Sequence, residues 1–112
     1  MDFKFHKAYD AIVCPEYRAV IHDMRDDEGR QMVVMHLDVD HDKFTPSILK
    51  RMKREWACFR QCTDATLFAI ENHPDDAKWA RFVAIMGFKF LTRVECTDGR
   101  SRRCFVSQKQ DQ

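Results

Sequence analysis

Short runs of alternating apolar and polar residues, interrupted twice by helical spacing, organise this chain. "DFKFH" alternates and predicts a first, edge strand. "KAYDAIV" predicts a helical turn or two, stopped before Pro15 because a residue preceding proline avoids helical angles. "YRAVIHDM" and "QMVVMHLDVD" are strand-like, and the polar "RDDEGR" between them predicts a hairpin loop in which Gly29 supplies a positive φ. Thr45 followed by Pro46 marks a helix start: the hydroxyl caps, and the missing proline N–H falls where none is needed. Ile48, Leu49, Met52, Trp56 and Phe59 then share one helical face, through about Cys62.

"ATLFAI" is short and apolar at every position, as in a central strand covered on both faces. In "IENHPDDAKWARFVAIMGFKFL", Asp75 and Asp76 sit near a helix start, where carboxylates suit the dipole. Trp79, Phe82, Val83 and Met86 form its buried stripe, and Gly87 ends it. "FKFLTRVEC" alternates, "TDGR" turns, and "RRCFVSQ" returns as a hairpin partner. The order is β–β–β–α–β–α–β–β, an α+β domain with a mixed sheet of about six strands and a C-terminal hairpin. Strands 32–40 and 66–70, joined by a helix, are expected to form a right-handed parallel crossover. Along 33–40, Val33, Met35, Leu37 and Val39 point one way, and Val34, His36, Asp38 and Asp40 the other. A half-polar strand inside a sheet implies a thinly covered second face.

The 112 residues are expected to form one domain, 1–112, with 107–112 as a flexible tail. Apolar residues are 45% of the chain, with nine Phe and two Trp, enough for a core without metal or disulfide staples. No run approaches the roughly 18 apolar residues of a membrane span, and "MDFKFHKAYD" lacks the apolar centre of a signal peptide, so no membrane association and a cytoplasmic location are expected. Net charge is +1, which gives no global pull toward nucleic acid. The five Cys are irregularly spaced and read as free, mostly buried thiols. Cys58 and Cys62 share a helix face, but further ligands for zinc are not evident and no metal site is expected.

Two clusters carry candidate chemistry. In "HLDVDHD", His36, Asp38 and Asp40 would share a strand face, as a general base with its orienting carboxylate, as oxygen and imidazole ligands for a divalent cation, or as part of a solvated face running into an acidic loop; of the two functional readings the base is preferred. Lys50, Arg51, Lys53, Arg54 and Arg60 lie opposite the apolar stripe of the first helix, as a solvated face or as a surface for a polyanion or an acidic protein. Both Trp fall on apolar stripes and read as core, while His6, His22 and His73 are isolated and unspecialised.

The order of elements, with "LFAI", Asn72, "DDAKWARFVAIM" and Gly87-Phe88 in sequence, resembles the GNAT (GCN5-related N-acetyltransferase) superfamily across about residues 17–107. That resemblance implies acetyl-CoA bound where strands 32–40 and 66–70 splay, with backbone of 37–40 (Leu37 and Val39) along the pantetheine. Lys43, Ser47 and Asn72 would complete the cofactor site, and His36 with Asp38 would deprotonate an acceptor amine. The chain departs from the family in three ways. The glycine-bearing loop that admits a diphosphate to the helix N-terminus is replaced by "VDHDKFTPSILK", with Ser47 and Leu49 at the small-residue places and Asp40, Asp42 and Pro46 opposing an anion. The tyrosine that protonates the departing thiolate, four residues before the glycine, is Val83 here, flanked by Phe82. The two helices that family members place between their first strands are reduced to "KAYDAIVCPE". Short, degenerate members of this kind resemble proteins encoded by bacteriophages. The expectation is a GNAT-fold protein with a degraded acyl-CoA site, acting as a protein-binding module in a phage structural or host-directed role. It would engage a protein partner or a second copy through the thinly covered sheet face, with nucleic acid the lesser alternative. The competing expectation is an acetyl-CoA-dependent N-acetyltransferase of reduced or specialised activity.

Overall fold

The computed structural model describes residues 4–96 and 98–108. Their order is β1 (Lys4–Val13), β2 (Tyr17–Arg25), β3 (Gln31–Val39), α1 (Pro46–Gln61), β4 (Leu67–Ile70), α2 (Ala77–Ile85), β5 (Lys89–Glu95) and β6 (Ser101–Ser107), with a 3-10 turn at His41–Lys43. The strands form one sheet in the order β1-β2-β3-β4-β6-β5. Only β3 and β4 pair in parallel; the other four pairings are antiparallel. Because β6 lies between β4 and β5, the chain crosses over twice in the same direction, through α1 and then α2. Two right-handed crossovers in one direction put both helices on the same face.

Local chemistry accounts for the boundaries. Thr45 caps α1, its hydroxyl accepting from Ile48 N at 3.3 Å, and Pro46 opens the helix. Asp76 caps α2, accepting from Trp79 N at 3.1 Å. Gly87, at φ +95°, turns the chain out of α2 into β5, and Gly29, at φ +80°, turns β2 into β3 as expected.

The core lies under the helices. Tyr17, Ala19 and Ile21 of β2, Met35 and Leu37 of β3, Leu67 and Ala69 of β4, and Phe105 of β6 meet Met52 and Trp56 of α1 and Trp79 and Val83 of α2. Trp79 stands edge-on to Phe105 with ring centroids 5.6 Å apart, and Trp56 lies 5.8 Å from Phe88. Each large side chain buried this way contributes roughly 1.5–3 kcal/mol. The opposite face carries Met24, Met32, Val34, Phe68, Ile70 and Val106, all half-buried and outside that cluster. Among the described residues no helix packs on it.

Several expectations need correction. Residues 7–13 are not helical; they continue β1. Two register shifts, at Phe5/Lys7 and Asp10/Ile12, each add a residue and break the two-residue alternation that marks a strand. β4 is covered on one face only: Leu67 and Ala69 are buried, while Phe68 and Ile70 look out from the uncovered side. Arg60 does not join the solvated basic face of α1; it is buried and donates to Ala65 O and Ser107 O at 2.9 and 3.3 Å, tying the helix end to the sheet. Ser107 belongs to β6 rather than to a tail, and is buried opposite Leu67. All five Cys are free, yet only Cys104 is buried, and Cys58 and Cys62 are exposed. Asp2 and Phe3 of the expected first strand, Thr97 of the "TDGR" turn and 109–112 of the expected tail lie outside the described residues.

Candidate functional site

The parallel pair at the middle of the sheet comes apart. β3 and β4 are in register only at Val33–Leu67 and Val34–Phe68, and beyond them β3 continues to Val39 and β4 to Ile70 without further pairing. Asn72, just past β4, reaches across the opening, its Nδ2 donating to Leu37 O at 2.9 Å. In front of that bridge is a cavity of about 160 Å³ lined by Leu37, Asp38, Val39, His41, Asn72, His73, Asp76, Trp79 and Phe82. Its outer wall is aromatic, with Phe82 4.7 Å from Phe44 and 5.7 Å from His41 between centroids. The indole N–H of Trp79 is buried without a protein acceptor.

A buried carboxylate holds this end in place. The side chain of Glu71 is fully shielded and accepts from Arg103 N and Nε, both at 2.7 Å, and from Asp75 N and Asp76 N at 3.4 and 3.2 Å. Its own N–H donates to Arg103 O. The loop can therefore turn tightly, with Asp75 at φ +55°, a left-handed value that aspartate tolerates better than most residues. Arg93 donates to Asp75 at 2.8 Å and lowers that carboxyl's pKa. So anchored, the loop presents Asn72 to β3 and Asp76 to the start of α2.

Of the expected cofactor residues, Leu37, Val39 and Asn72 come together at the cavity, while Lys43 and Ser47 are exposed outside its lining. The ammonium of Lys43 lies 3.8 Å from Asp40. Asp40 also caps the 3-10 turn, accepting from Asp42 N at 3.1 Å. At the start of α1, Pro46 has no N–H and Ile48 N is taken by Thr45, which leaves Ser47 N as the open amide of the first turn. An incoming diphosphate would meet one amide, two carboxylates and a lysine already beside one of them. Val83 is buried in the core and Phe82 lines the cavity, so neither offers a proton there.

The expected base pair is divided: Asp38 is among the residues lining the cavity, whereas His36, 3.2 Å from it on β3, lies on the uncovered face outside that lining. His22, read from sequence as isolated, stacks on His36 at 5.9 Å, and Phe5 meets His22 edge-on at the same distance. Burial, and secondarily the neighbouring His36, lowers the pKa of His22. His73, also read as unspecialised, lines the cavity. No sequence pattern marks His73 or Glu71; proximity across the sheet brings them into the site. Among the described residues no group of three or more His, Cys, Asp and Glu side chains is placed to hold a metal ion. Among the described residues no helix is long and apolar enough to cross a membrane.

Comparison with known proteins returns no match of any kind: no family model, no curated protein and no solved structure.

Proposed function

We propose that this chain is a GNAT-like scaffold that has lost its diphosphate site and works as a non-catalytic protein-binding module through the uncovered face of its sheet. The observation that carries the proposal is that face, a six-stranded surface with an apolar centre and no helix upon it. It is the side that two helices would cover in the family the sequence resembles. A half-exposed apolar centre rimmed by polar residues is the kind of surface that receives a partner. The start of α1 argues against cofactor use, since Pro46 has no N–H, Ile48 N is taken by Thr45, and the carboxylates of Asp40 and Asp42 lie just before it in the chain. A structural or host-directed role in a bacteriophage fits such a reduced domain.

One feature favours an acetyl-CoA-dependent N-acetyltransferase as the second reading. The strands do diverge, and Leu37, Val39 and Asn72 line the opening where pantetheine would lie. His36 with Asp38 would then serve as base from the uncovered face. A thermal-shift scan with millimolar acetyl-CoA separates the readings, because a ligand that binds only the folded state raises the melting temperature by mass action. The binding-module reading expects a flat scan. A dose-dependent rise of several degrees, with acetyl transfer to an amine, would return the chain to the enzymes.

A further inference from the structure

We infer that the occupant of the uncovered face is a second copy of this chain, packed sheet on sheet about a two-fold axis running along the strands. The inference rests on the binding-module reading and names its partner.

The geometry comes from the cross-strand register. One row crosses all six strands: Ala8, His22, Val34, Phe68, Val106 and Lys89 stand side by side. Its middle is Val34 of β3 beside Phe68 of β4, the central strands of the sheet. A two-fold axis between those strands lays Val34 of one copy on Phe68 of the other, and the reverse. Small then meets large twice at the centre, as interdigitating sheets require. One step outward, His22 faces the other copy's Val106. An axis across the strands would instead set the apolar end, with Met24 and Met32, against the polar end, with Arg18 and Asp38.

Size and charge agree with this occupant. Five inter-strand spacings of about 4.8 Å, along some 25 Å of strand, give roughly 600 Å² of flat projection before side-chain relief. That approaches the ~800 Å² per partner of a standard stable interface. The face has an apolar centre and a charged rim, the usual interface anatomy. Arg18 and Arg102, which the axis brings toward each other, are paired with Asp10 and Asp98 of their own chain at 2.8 and 2.7 Å. A net charge of +1 leaves no long-range repulsion between copies.

The test is sedimentation velocity on the full chain from about 1 to 200 µM, beside Val34→Lys and Phe5→Lys. Phe5 is 61% exposed on this face, so its substitution should leave the fold intact even if Val34→Lys does not. The expected result is a monomer–dimer equilibrium in the parent, weakened at least tenfold in each folded variant. A parent chain that stays monomeric at 200 µM overturns the inference, as does a dimer that survives unweakened in the folded variants. Neither outcome touches acetyl-CoA binding, which bears on the binding-module reading alone, so the two can fail separately.

Discussion

β3 shows both faces of the sheet at once. Met35 and Leu37 point under α1 and α2 and are fully buried, whereas Val34 and His36, one residue away, point to the other side and stay half-exposed. The same backbone therefore carries side chains whose surroundings are complete and side chains whose surroundings are not. Burial on the helix side is supplied by the chain itself. On the other side, neighbouring strands shield residues from the flanks, closely enough to bury Val20 and Cys104 but not Val34, His36 or Phe68. A fold that leaves the middle of one sheet face in this state has either an exposed surface to maintain or a partner to receive.

The contrast can be broken most strongly by matched truncations. Leu37→Ala should cost about 4 kcal/mol, the usual effect of opening a cavity in a fully buried leucine site. Val34→Ala, at a dilution that keeps the chain monomeric, should cost less than about 1 kcal/mol. Urea denaturation of both variants checks the pair, and equal losses would mean the two faces are packed alike.

Next in size is Glu71→Ala. It leaves Arg103 and the loop amides of Asp75 and Asp76 without their acceptor, with an expected loss of about 3 kcal/mol by the same measurement. The amide signal of Asn72 should move with it, because the loop no longer holds the bridge to Leu37. A smaller effect, about 1 kcal/mol, is expected for Thr45→Ala, which removes the α1 cap.

The smallest effect sharpens the contrast on the uncovered side. His22 titrates below its ordinary value because burial, and then His36, disfavours its charged form. On acidification the unfolded chain takes up that proton first, from about pH 6.5. This contribution to stability is therefore complete above about pH 6.5 and is lost as the pH falls through the folded value. Melting temperature against pH should slope downward on the acid side, and the slope should flatten in His22→Gln.

Much of the fold was legible because its signals are local. The Thr45-Pro46 start, the Gly87 stop, the Gly29 turn and the alternation of Val33 to Val39 each state a local rule that the structure keeps. The parallel pairing of β3 with β4 followed from their order, strand–helix–strand. β1 was misread where local rules fail, since its two bulges scramble the period and make seven residues look helical. Arg60 was placed in water because spacing along α1 does not reveal the carbonyls of Ala65, just before β4, and Ser107, at the end of β6, that receive it. Glu71 and His73 carried no signal at all. The role of Glu71 depends on β6 sliding between β4 and β5, and no local pattern announces an insertion of that kind; His73 reaches the cavity through the turn after β4.

The central claim is that the start of α1 is closed to a diphosphate, so the sheet face and not a cofactor carries the function. The direct measurement is a two-dimensional amide titration with acetyl-CoA to several millimolar, following Val39, Ser47, Ile48 and Asn72. The expected result is that these four signals stay where they are. Saturable shifts centred on Ser47 and Ile48 would contradict it, placing a phosphate at the helix end after all.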